Sequence, residues 1–237
     1  MNAQKTIPQP SRRTLLRGLT AIGTLGTLGT LGTLSALPGL ARAAGNLPAT
    51  PGFRFIKGPV GVDDTRASIG LNIKPGQTAM TGEGGEAVYI IGPDAFLQHE
   101  KTKITYEDEN GIQTMRFASG KALAVFGKGR SGPRNVQILT PAAVIAIHNT
   151  AGCYIDADET RTYFCLCYGE AELTPKGDPK QKETLSAKHH DRPLIITLAG
   201  EKKIAPAPFS GHTDSELTTL ENAVGRWPPF HKQSDSR

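Results

Sequence analysis

The residues with the most chemical potential in this sequence are its three cysteines, Cys153, Cys165 and Cys167. Cys165 and Cys167 flank Leu166 in a run that reads as a strand, so their side chains share one face. Cys153 belongs to the preceding strand, across a turn drawn from Ala157-Asp158-Glu159-Thr160. In one register Cys153 faces Cys165; one step away it faces Phe164 and the thiols miss. Three chemistries are open. Thiolates hold soft ions such as Cu(I) or Zn²⁺. An oxidising compartment favours a disulfide from Cys153 to Cys165 or Cys167. Buried thiols also serve simply as small apolar side chains. The expectation taken forward is one disulfide and one free thiol, with no metal and no cofactor.

The other candidates are weaker. His189-His190-Asp191 combines residue types that suit Zn or Cu, but neighbours in an extended strand point to opposite faces. The trio also follows the Lys- and Gly-containing turn region 176–182, so a solvated loop is expected. His148 ends the run Val144-Ile145-Ala146-Ile147 without a nearby nucleophile or carboxylate, and reads as a polar strand end. Glu107-Asp108-Glu109 lacks the spaced ladder of a calcium loop and reads as a charged hairpin tip. Gly127 to Arg134 carries three basic residues, but no helix N-terminus follows to supply amide donors, so a flexible connection is expected. No Gly-x-Ser-x-Gly, His-Glu-x-x-His or Walker pattern occurs, and the Gly-x-Gly-x-x-Gly spacing at Gly127, Gly129 and Gly132 has no helix pattern after it. A non-enzymatic chain is expected.

The elements that would position these residues are short strands punctuated by Gly and Pro. From Ile69 they run Ile69–Ile73, Ala87–Ile91, Ala95–Gln98, Ile104–Tyr106, Ile112–Phe117, Val136–Leu139, Ala142–Ile147, Cys153–Ile155, Thr162–Tyr168 and Leu194–Leu198. Asn110-Gly111 between two of them is the strongest hairpin signal, since both residues tolerate positive φ. No long amphipathic helix is expected between residues 69 and 200. The pattern predicts an all-β body, a short-stranded β-solenoid or jelly-roll-like domain. One short C-terminal helix follows: Thr213-Asp214-Ser215-Glu216 is a capping box, Leu217, Leu220 and Val224 keep helical spacing, and Gly225 suits the C-terminal cap. Pro206 and Pro208 suggest a linker before it.

The 237-residue length suits one or two domains with a real core. Its formal charge of +5 is misleading. Residues 1–43 hold Lys5, Arg12, Arg13, Arg17 and Arg42 and no acid, so subtracting these five from 27 basic residues leaves 22 against 22 acidic ones. A neutral mature chain disfavours nucleic-acid binding. Residues 1–43 have a basic start, a weakly apolar stretch and an Ala41-Arg42-Ala43 site, the parts of an export signal. Arg12-Arg13 followed by two leucines resembles the twin-arginine signal. That resemblance implies passage of an already folded protein through the twin-arginine machinery to the periplasm, and a cofactor, if any, loaded beforehand. The expected organisation is a leader at 1–43, a β domain at 44–205 and a helix and tail at 206–237.

Four stretches carry a further resemblance. Ile73 to Ala87, containing Pro75-Gly76 and Thr81-Gly82, is similar to the opening of the FecR domain. Gly92-Pro93-Asp94-Ala95-Phe96-Leu97 resembles its next turn and strand, Val136 to Ile147 with Thr140-Pro141 its paired strands, and Tyr168 to Leu173 a later element. The resemblance implies a non-enzymatic periplasmic β domain that binds a protein or cell-envelope component in signalling or assembly. His148-Asn149-Thr150 stands where the family often has Arg-Gly-Thr, and no sigma-binding domain precedes Arg12, so a free-standing module is expected. The rival expectation is a periplasmic metal- or redox-binding protein using Cys153, Cys165 and Cys167.

Overall fold

A computed structural model describes residues 50–129 and 134–231. The expected leader, with Arg12 and Arg13, lies outside them. Fourteen strands and one helix make up the described residues: β1 (Gly52–Lys57), β2 (Val60–Val62), β3 (Thr65–Arg66), β4 (Thr78–Thr81), β5 (Glu86–Ile91), β6 (Asp94–Gln98), β7 (Thr102–Glu109), β8 (Ile112–Phe126), β9 (Asn135–Leu139), β10 (Ala143–Ala157), β11 (Arg161–Pro175), β12 (Glu183–Ala187), β13 (Leu194–Thr197), β14 (Ile204–Pro206) and α1 (Asp214–Ala223). The protein is all-β with a single short helix near its C-terminus among the described residues.

Most strands are short, but β8, β10 and β11 each run fifteen residues. Glycines that read as breaks in sequence act here as bends. Gly169 takes φ +98° inside β11, and the β10–β11 register shifts around Gly152. Each long strand therefore changes partner along its length. The first half of β10 pairs with β9 and its second half with β8, while β11 pairs with β13 at one end and β12 at the other. This exchange joins the strands into one sheet, in which β8–β9 is the parallel pair among the described residues.

Asn110 and Gly111 both take positive φ, 53° and 76°, closing the β7–β8 hairpin as expected. Two other expectations fail. Ile69–Ile73 is not a strand: Gly70 donates to Phe53 O and Phe53 N to Leu71 O, so the segment is a turn buttressing β1, with Ile69 exposed. The strands begin at Gly52, ahead of the run named from Ile69 and inside the expected 44–205 domain. Pro206 is no linker but the end of β14, opposite Leu194.

Two apolar clusters lie on opposite faces of the central strands. The larger packs Phe53, Phe96, Phe117, Ile155, Phe164 and Leu166 among others. The second gathers Val88, Leu97, Leu123, Val125, Tyr163 and Tyr168 under Leu217 and Leu220 of α1. Strand alternation sorts β11 between them, with Phe164 and Leu166 facing one way and Tyr163, Cys165 and Cys167 the other.

Candidate functional site: a buried cysteine–histidine cage

The hairpin register settles where the thiols go. Cys153 stands opposite Leu166, and Tyr154 opposite Cys165, which is neither arrangement considered from sequence. Cys153 is packed in the larger core, while Cys165 and Cys167 belong to the second cluster. A disulfide from Cys153 to either of them would have to cross the sheet, and all three thiols are free. The expected disulfide is therefore corrected: the pairing step differs by one residue, and one residue exchanges faces.

Cys165 and Cys167 instead meet two histidines. Cys165 Sγ lies 3.6 Å from His190 Nδ1, and Cys167 Sγ lies 3.3 Å from His212 Nε2. The two imidazole nitrogens are 3.1 Å apart. Four ligand atoms thus converge within 4.8 Å of one another.

His190 reaches this point because the segment at 188–191 is a tight bend. His190 has φ 51°, its amide donates to Cys167 O at 2.9 Å, and Asp191 Oδ2 accepts from the Lys188 amide at 2.6 Å. The solvated-loop expectation held for His189 and Asp191, which are exposed, but not for His190. Alternation along an extended strand does not govern a bend. His212, which carried no signal in sequence, is buried and stacks on the Tyr154 ring at 4.7 Å. Gly211 before it has φ +88°, and a Cβ there would fall 2.6 Å from that same ring.

The outer nitrogens define the tautomers. His212 Nδ1 lies 3.1 Å from Ser210 O, and a carbonyl can only accept, so Nδ1 carries the proton. His190 Nε2 lies 2.8 Å from Asp214 Oδ1, so in the neutral ring Nε2 carries it. Burial opposes ionisation of Asp214, but its bonds from His189 and His190 prevail and hold its carboxyl below the usual range. Two neutral imidazoles would then aim lone pairs at each other across 3.1 Å, a geometry that the neighbouring thiol protons, a ring proton or a shared cation would relieve.

The thiols are electrostatically split. The hydrogen bond from Cys167 pulls the Cys165 thiol well below its ordinary value; burial opposes this, and His190 and His212 reinforce it. Burial, then the adjacent Cys165, pushes the Cys167 thiol up. For His190, burial disfavours the charged form, but Cys165 and Asp214 outweigh it and raise its pKa. Burial, then the nearby Cys165, raises Cys153.

The remaining sequence candidates do not join this site. His148 is exposed within β10, opposite Glu170, rather than at a strand end. The 107–109 acids lie at the β7 tip, with Glu107 paired to Arg116. Arg134, expected in a flexible connection, is anchored: its guanidinium binds both oxygens of buried Asp94 at 2.7 and 2.5 Å.

No family model and no curated protein sequence matches this chain. Among solved structures, it is similar to two crystal structures, at 1.65 and 2.50 Å resolution, of a protein from Parabacteroides distasonis ATCC 8503 designated an anti-sigma factor. The TM-scores are 0.45 and 0.44, each at 12% identity, covering 55% of this chain. The match spans 58% of the length of that protein.

Proposed function

We propose that this chain is a metal-binding β module whose Cys165, Cys167, His190 and His212 hold one Zn²⁺ ion. The observation that supports this reading is the spacing of the four ligand atoms. With bonds of about 2.3 Å to sulfur and 2.05 Å to nitrogen, a tetrahedral ion sets S–N edges near 3.5 Å and N–N edges near 3.3 Å. The corresponding separations here are 3.6, 3.3 and 3.1 Å. An S₂N₂ donor set of this kind suits zinc. Asp214 behind His190 and Ser210 O behind His212 are the outer acceptors that metal-bound imidazoles characteristically use.

Four protein ligands complete the tetrahedron, which is the pattern of holding an ion rather than activating water on it. A thiolate nucleophile is the poorer reading, because Cys165 and Cys167 are 0% exposed and reactive cysteines need access. The test is elemental analysis of purified protein. One zinc per chain is expected, lost in C165S, C167S, H190A and H212A and retained in C153S. Stoichiometric copper in place of zinc would reassign the ion to Cu(I); no bound metal in protein purified without chelators would defeat the reading.

We further propose that the module is exported through Arg12-Arg13 and acts by binding a protein or envelope component without catalysis. Support comes from the leader sequence and from the FecR-like stretches. In the structure the Thr140-Pro141 motif turns β9 into β10, with Thr140 Oγ1 accepting from the Ala143 amide at 2.9 Å. Passage of a folded chain would allow zinc to be acquired before exposure to an oxidising compartment. Fractionation with R12K/R13K as control tests export: retention of the native protein in the cytosol would refute it.

A further inference from the structure

We infer that the ion in this cage is the latch of the C-terminal strap, residues 207–231, so that metal occupancy decides whether the strap stays docked. This rests on the zinc reading above. Three ligands belong to the β body: Cys165 and Cys167 on β11, and His190 on the bend between β12 and β13. The fourth, His212, lies one residue before Thr213, the N-cap of α1. The next residue, Asp214, bonds His189 and His190. The helix start is thereby joined to the body through the metal ligands.

The rest of the strap is held by α1, by Ala207, Ala223, Val224 and Phe230 packed against the second cluster, and by a handful of polar ties. At ten residues α1 is shorter than the roughly 12–15 that a helix needs to persist alone in water, so it depends on docking. Its fully buried apolar side chains are Leu217 and Leu220. Polar ties come from Tyr163 with Pro208 and Ser210, Glu221 with Tyr168, and Arg226 with Pro93 O. Towards its end the strap borders an open cleft of about 650 Å³ lined by Tyr168, His189, Trp227 and Phe230, with the Phe230 ring 4.1 Å from that of His189.

An ion offered four ligands when the strap is docked and three when it is lifted favours the docked form by the ratio of its two affinities. Coupling is reciprocal, so weakening the strap must weaken the ion. Lifting the strap would uncover the apolar face of Val88, Leu97, Leu123 and Val125, making this a metal-controlled cover.

Trp227 is the only tryptophan in the chain and lies in the strap, half exposed, so its emission reports docking directly. The experiment strips zinc from the full chain, refills it, and follows Trp227 emission with amide exchange. Stripping should speed exchange of the α1 amides at least tenfold while β8 and β10 amides hold, and one equivalent of zinc should restore them. L220A, remote from the ligands, should weaken zinc binding about tenfold with an unchanged β-type circular dichroism spectrum. One bound equivalent with unmoved α1 exchange and Trp227 emission would overturn the latch and leave the cage intact. Exchange rising equally throughout the body would also overturn it, and failure to bind zinc would remove the cage and the latch together.

Discussion

The two faces of the β10–β11 hairpin carry the same functional group in opposite surroundings. On one face Cys153 is enclosed with Phe53, Ile155, Phe164 and Leu166, and burial raises its thiol far from ionisation. On the other, Cys165 and Cys167 are just as buried, yet two imidazoles meet them, and Cys167 with those imidazoles draws the Cys165 thiol down while burial pushes Cys167 up. Burial alone makes a thiol inert; burial beside nitrogen donors makes it a ligand. The difference lies not in the cysteine but in the two residues that other chain segments deliver to it.

Breaking the ligand face should have the largest effect. At a zinc concentration a thousandfold above Kd, bound ion contributes about 4 kcal/mol of stability. At about 2–4 °C per kcal/mol for a domain of this size, C165A or C167A should lower Tm by about 8–16 °C and abolish its zinc dependence in thermal melts. C153A should melt with the same zinc dependence as the native chain. If C153A lost zinc and C165A did not, the contrast between the faces would be reversed.

D214N probes the layer behind the ligands. It keeps the size of the side chain but weakens the acceptor for His190, and should reduce zinc affinity about 10–100-fold in chelator competition. A hydroxyl placed on the apolar face has a smaller cost. C153S should destabilise the fold by about 1–3 kcal/mol in urea, with one zinc still bound.

The smallest effect concerns Glu221, on the buried side of α1. Burial raises its carboxyl pKa despite Arg226, so the folded chain keeps this proton to higher pH than the unfolded one. Its contribution to stability is therefore best below the ordinary value of 4.5 and declines as pH rises through the elevated folded value. E221Q should flatten that part of the profile of urea midpoint against pH, and an unchanged slope would show that Glu221 is already ionised in acid.

Much of the fold was legible because strand and turn chemistry are local. Asn110-Gly111 needed no distant partner to specify a hairpin, and the Thr213–Glu216 capping box forms as read, with Thr213 Oγ1 accepting from the Glu216 amide at 3.2 Å. The long strands were obscured because Gly152 and Gly169 look identical as breaks and as bends; only pairing on both sides distinguishes them. Half the cage was visible in Cys165 and Cys167. His190 was hidden by a bend that strand alternation does not describe, and His212 by its position before a helix cap.

Sequence by itself determined the all-β class, the terminal helix and the shared face of Cys165 and Cys167, since each follows from backbone periodicity within a few residues. Tertiary structure alone decided that Cys153 turns away and that His190 and His212 arrive. Register and the docking of segments far apart in the chain depend on which surfaces can be buried together, and no short stretch of sequence encodes that.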